Sequence, residues 1–136
     1  MTRRRLREQI FKLLFRIEFN DASEMDEQCR LFFEVNDDEF DEKDEEYIQS
    51  KYDAVLEKLS EIDEAINSRT KGWTTERMSK VDLTIIRLGV YEMLYDDEIP
   101  EGVAVNEAVE LAKRFGQDES YSFVNGVLSN FTVGNG

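Results

Sequence analysis

The sequence predicts an all-α fold, a compact bundle of about seven helices in one domain spanning residues 1–136. Three observations predict it. One proline and seven glycines in 136 residues leave long stretches without a helix breaker. Apolar residues recur at helical spacing along most of the chain. No segment keeps the two-residue alternation of a strand, and no internal repeat is present. With 40% hydrophobic and 35% charged residues, the chain reads as soluble and globular, long enough to bury a real core.

The first helix is expected from about Arg3 to Phe19. Leu6, Ile10, Leu13, Leu14 and Ile17 share its core face, and Phe11, Phe15 and Phe19 form a second stripe roughly opposite, flanked by Arg5, Lys12 and Arg16. That stripe is either clasped by neighbouring helices or left as a partly exposed aromatic ridge suited to a partner, to stacked bases or to a second copy of the chain. Cys29, Leu31, Phe32, Phe33 and Val35 indicate a short second helix. The acid-rich link after it fails as a calcium loop: counted from Asp37, position 6 is Glu42 where glycine is needed, and position 12 is Ile48 where glutamate is needed. A third helix is expected from Asp44 to Ser68, with Tyr47, Ile48, Tyr52, Val55, Leu59, Ile62 and Ile66 at helical spacing. Lys71-Gly72 breaks the pattern and marks the expected boundary between halves of about 1–72 and 73–136.

In the second half, Thr74 or Thr75 is placed to cap a short helix containing Met78. The segment Val81–Tyr95 is apolar nearly all round, as a helix at the centre of a bundle must be. Arg87 and Glu92 are then polar groups near the core that need partners. Asp82 complements that helix's N-terminal dipole. Pro100-Glu101-Gly102 reads as a turn. Val105, Ala108, Val109, Ala112 and Phe115 define the next helix, with Lys113 and Arg114 in its last turn and Gly116 beyond its end. A last helix runs from about Asp118 to Phe131. Its Gly126 is expected to permit a close helix contact, and the tail from Thr132 is expected to fray.

Charge is segregated. Residues 2–16 carry Arg3, Arg4, Arg5, Arg7, Lys12 and Arg16 against Glu8 alone, within a chain of net charge -14. Residues 21–64 hold 18 acids and four bases. A basic arm on an acidic body points to an anionic partner for the arm, nucleic acid first. The lone Cys29 excludes an intrachain disulfide and suits a reducing cytoplasm. The absence of histidine removes Ser-His and Cys-His catalysis and Cys/His zinc sites. No apolar run spans a membrane, and none follows the basic start as a secretory signal would require. No nucleotide-binding glycine loop is present, and Asp96-Asp97 reads as a solvated helix end. The chain is therefore expected to be no enzyme and to need no metal or cofactor.

The run Val81 to Leu94 (VDLTIIRLGVYEML) resembles a signature helix of the NusB family of transcription antitermination factors. Ile99-Pro100, Val103 to Gly116 (VAVNEAVELAKRFG) and Phe123 to Leu128 (FVNGVL) continue the likeness, and Arg3 to Glu8 (RRRLRE) resembles the family's arginine-rich start. The resemblance covers essentially the whole chain and is most specific over residues 73–128. It implies two all-helical halves of three to four helices. It also implies binding of the boxA element of ribosomal RNA leader transcripts, together with the ribosomal protein NusE, to help RNA polymerase resist termination. Carried over by position, Arg3, Arg4, Arg5, Arg7, Glu119 and Phe123 fall on or near the RNA path, and Phe15 and Asp82 fall in partner-contact regions. The sequence departs from many relatives at Leu83-Thr84, where a basic residue often follows the acidic position. The rival reading is a helical protein-binding adapter whose arginines meet an acidic protein and no RNA; a homodimer through the phenylalanine stripe is a further possibility.

Overall fold

The computed structural model describes residues 1–35 and 40–132; the start of the acidic link at Asp37 and the last four residues of the tail lie outside them. Among the described residues every regular element is helical: α1 Arg3–Phe15, α2 Met25–Val35, α3 Glu42–Glu57, α4 Leu59–Arg69, α5 Lys80–Tyr95, α6 Glu101–Phe115 and α7 Ser120–Leu128, with short 3-10 turns at Arg16–Glu18, Ala22–Glu24 and Ser129–Phe131. They form two compact units, Met1–Leu56 and Glu57–Gly136. Among the described residues no helix is long and apolar enough to cross a membrane.

The first unit holds α1 to α3. The α1 face expected in the core is buried at Leu6, Ile10, Leu13 and Leu14, joined by Met25, Cys29 and Phe32 of α2 and Ile48, Tyr52 and Val55 of α3. α1 stops at Phe15, four residues earlier than its apolar pattern suggests. The carbonyl of Arg16 is captured by the Phe19 amide at 3.1 Å and by the side-chain amide of Asn20 at 2.8 Å, which tightens the chain into a 3-10 turn. Asp41 caps α3: its carboxylate accepts from the Asp44 amide at 2.7 Å, and the Asp44 carboxylate accepts in return from the Asp41 amide at 3.3 Å. This reciprocal cap starts the helix at Glu42, earlier than hydrophobic spacing alone indicates.

The long helix expected over residues 44–68 is two helices. Lys58 departs from helical dihedrals (φ -103°, ψ 8°), and the two units meet just before it in sequence. The boundary expected at Lys71-Gly72 lies inside the second unit, because α4 packs against α5 instead of extending the first. Gly72 still makes a turn, with φ +78°, a conformation that favours glycine. The short helix expected around Met78 is a hydrogen-bonded turn, closed by Arg77 N–H to the Thr74 carbonyl at 3.0 Å; Met78 is buried.

α5 is the axis of the second unit and packs against α4, α6 and α7. Leu83, Ile85, Ile86, Leu88 and Val90 are all buried, as an all-round apolar helix requires. Ser79 caps it, accepting from the Asp82 amide at 3.1 Å. Arg87, expected to need a partner, forms a two-pronged pair with Asp63 of α4 through Nε and Nη2, both at 2.8 Å. α6 begins at Glu101, where a turn was expected. The Pro100 carbonyl accepts from both Val103 and Ala104 amides at 3.0 Å, so Gly102 lies in the first helical turn. α7 is shorter at both ends than expected.

Gly126 does not mediate a close helix contact: a Cβ built there meets nothing within 4 Å. The close approach is at Gly89 of α5, where a Cβ would lie 3.0 Å from Leu128 Cδ1. Gly126→Ala is therefore expected to raise stability by about 0.5–1 kcal/mol through helix propensity alone, read as a higher urea midpoint with an unchanged slope.

Candidate nucleic-acid interface

The arginine arm is helical. Thr2 is the N-cap of α1; its hydroxyl accepts from the Arg5 amide at 3.1 Å, and its carbonyl accepts from the Leu6 amide at 3.0 Å. Arg3, Arg4 and Arg5 thus occupy the first turn. Cations there oppose the helix dipole, each costing roughly 0.3–1 kcal/mol at low salt, so fold stability alone does not favour them. Arg3 and Arg4 are exposed and Arg5 is half-buried. The Arg3 guanidinium sits 4.6 Å from the Tyr47 ring centre on α3. The terminal ammonium meets Asp44 of the same helix at 3.4 Å. Arg5 approaches the buried Glu8 carboxylate at 4.0 Å. Arg7 stands apart from this group, with 9% exposure.

The phenylalanine stripe divides by depth. Phe11 is buried and Phe19 is 61% exposed, with Phe15 between them in exposure. Phe15 stacks on Phe11 at 6.0 Å and takes Phe19 edge-on at 5.1 Å. Arg16, one of its expected flanking cations, is tied inward: its Nη1 donates to the Gln28 carbonyl and side chain at 3.2 and 3.1 Å, and its guanidinium covers Phe32 at 5.2 Å.

In the second unit, Asp82 is half-buried at the head of α5. Among the described residues its Oδ1 is shielded from solvent and has no hydrogen-bond partner. Glu119 is exposed and precedes α7, its carbonyl accepting from the Phe123 amide at 3.1 Å. Phe123 is half-buried and meets the Trp73 ring at 5.2 Å and 67°. Trp73 and its neighbour Arg77 were not singled out as binding residues by sequence reasoning. The available signal was the run of cations around them at 69–80.

The arrangement suits binding. Burial, above all, pushes the Cys29 thiol above its ordinary value, with Asp53 and Asp26 adding to the effect; a thiol so placed is a poor nucleophile. Burial raises the neighbouring Tyr52 phenol as well. Among the described residues no group of three or more Cys, Asp or Glu is placed to hold a metal ion.

Comparison with known proteins agrees with this architecture. Residues 4–133 match the model of the NusB family. The chain is 53% identical over 133 residues to the transcription antitermination protein NusB of Agathobacter rectalis, covering 96% of this chain and 99% of that one. It is 46% identical to that of Lachnoclostridium phytofermentans, covering 95% and 97%. Among solved structures it superposes on T. maritima NusB with a TM-score of 0.84 at 36% identity, over 96% of this chain and 90% of the other. It also superposes on a crystal structure of the antitermination factors NusB and NusE in complex with dsRNA, with a TM-score of 0.78 at 25% identity, over 96% and 97%. The matches run through both helical units, and the chain belongs to the NusB family.

Proposed function

We propose that this chain is a cytoplasmic, non-catalytic transcription antitermination factor. It binds boxA-type single-stranded RNA of ribosomal RNA leader transcripts together with the ribosomal protein NusE, and so helps RNA polymerase resist termination. The observation that carries the reading is the cluster of Arg3, Arg4 and Arg5, held in one helical turn on a chain of net charge -14. Guanidinium groups supply a fork for phosphate and a plane for bases. The relative solved with NusE and dsRNA supports NusE and RNA as the partners; the preference for a single strand rests on the exposed guanidinium and aromatic groups.

In this reading Arg3, Arg4 and Arg5 contact phosphates, and Arg7, the fourth arginine carried over to the RNA path, follows them on α1 with 9% exposure. Phe123 offers a ring to an unstacked base beside Glu119. Asp82, with its unsatisfied Oδ1, and Phe15 serve the protein partner. The acidic body opposes RNA binding by the isolated chain, so a basic partner strengthens it.

The test is binding of a labelled boxA-type RNA at several salt concentrations, with and without the NusE protein. An Arg3/Arg4/Arg5→Ala variant is expected to bind more weakly and to lower the magnitude of the log–log salt slope by about 2, at roughly 0.7 per lost single-strand phosphate contact. A duplex of the same sequence should compete poorly, because its bases are stacked. Partner binding with no RNA binding under any condition would establish the adapter reading instead.

A further inference from the structure

The stretch from the last residue of α4 to the first of α5 is a second cationic island that the arginine arm does not account for. Residues 69–80 carry Arg69, Lys71, Arg77 and Lys80 against Glu76 alone, in a chain of net charge -14. All four cations are exposed. At its centre Trp73, the only tryptophan of the chain, is 48% exposed.

This loop is built. Gly72 takes φ +78° to turn the chain. The Thr75 amide donates to the Asn67 side-chain oxygen at 2.8 Å, and Thr70 Oγ1 donates to the Ile66 carbonyl at 2.8 Å. Arg77 Nη1 donates to the Gly72 carbonyl at 2.5 Å, which carries its guanidinium to 5.3 Å from the Trp73 ring centre. Phe123 of α7 meets the same indole at 5.2 Å. The ring is thus held in place by contacts that leave half of it uncovered. Packing explains the Phe123 contact but not a half-exposed indole layered with a guanidinium amid four cations.

We propose that Trp73 and Arg77, seated against Phe123, form a second single-stranded RNA contact in which an unstacked base joins the indole–guanidinium stack. This rests on the RNA-binding reading above and extends it from Phe123 to Trp73 and Arg77, which have no role there. Indole and guanidinium planes take bases of any identity, and the surrounding cations draw the backbone. The contact therefore adds affinity with little base preference. Its partner is a strand whose bases are free, because a duplex offers no open face.

Trp73 is its own reporter. Affinity is read from the anisotropy of a labelled boxA-type RNA, with and without the NusE protein, and contact from Trp73 emission of the chain titrated with RNA. Trp73 emission is expected to change with the same saturation curve as binding. Trp73→Leu is expected to weaken binding about tenfold, within the range of one lost base–aromatic stack, with Trp73→Phe retaining most of it. Arg77→Gln, at an exposed position, is expected to weaken binding severalfold and to lower the magnitude of the salt slope by about 0.7. Full affinity in both Trp73→Leu and Arg77→Gln, or unchanged emission at saturating RNA, overturns this contact and leaves the arginine-arm reading standing. An emission change produced by NusE alone and not by RNA assigns the loop to protein contact and equally overturns it. Failure of the intact chain to bind RNA with or without NusE overturns both.

Discussion

Arg87→Ala is expected to destabilise the protein by about 3 kcal/mol. The guanidinium reaches Asp63 through two parallel bonds of 2.8 Å, and the pair is mostly removed from solvent, with side-chain exposures of 13% and 27%. Truncating one partner leaves a carboxylate in partial burial without its counter-charge, and breaking such pairs costs about 3–5 kcal/mol when burial is complete. Residual exposure of Asp63 lets water reach it and places the value at the lower end. The loss falls where α4 joins α5, within the second unit. Urea unfolding should show a lower midpoint with an unchanged slope. The double replacement Arg87→Met/Asp63→Leu should recover most of the loss, because two apolar groups of similar size need no compensation. A single-variant loss below about 1 kcal/mol would show the pair to behave as a solvated surface bridge.

Gly116→Ala is expected to cost about 1–2 kcal/mol, for a reason unrelated to backbone freedom. The residue has φ -92°, which alanine adopts without strain. A Cβ there, however, would lie 2.5 Å from Ser120 Cβ, 2.6 Å from Ser120 Oγ and 2.8 Å from the Ala112 carbonyl oxygen. Ser120 is buried, and its Oγ accepts from the Gln117 amide at 2.9 Å, so it cannot swing aside without breaking the turn from α6 to α7. The Gly116 amide also holds the Ala112 carbonyl at 2.9 Å. Overpacking of this kind typically costs about 1–3 kcal/mol, which exceeds the roughly 0.4–1 kcal/mol gained from a less flexible unfolded chain. Gly126→Ala, where nothing lies within 4 Å, is the internal control. Stabilisation at Gly126 with destabilisation at Gly116 would separate crowding from helix propensity, and equal effects at the two sites would refute the account.

Helix type and the core face of each long helix were legible in the residues. Leu6, Ile10, Leu13 and Leu14 recur at 3.6-residue spacing and are buried; Val81 to Tyr95 is apolar nearly all round and lies at the axis of its unit. Such periodicity is a local property, so it survives translation into structure. The charge of the arginine arm was equally plain, because it needs only composition along the chain. Helix ends were read less well. The Asp41–Asp44 reciprocal cap and the Arg16 carbonyl captured by Asn20 each involve polar side chains competing for backbone groups, which hydrophobic spacing does not register.

By itself, then, the sequence determined the helical class, the buried stripes and the position of the basic arm, all of which depend on residues near one another in the chain. Only the tertiary structure decided that the units divide before Lys58 and not at Gly72, that Arg7 is buried while Arg3 and Arg4 are exposed, that Gly116 is demanded by Ser120, and that Trp73 meets Phe123 fifty residues away. Each of these depends on which distant side chains occupy the same space. Close packing sets that occupancy through contacts between elements, and no spacing along a single helix encodes it.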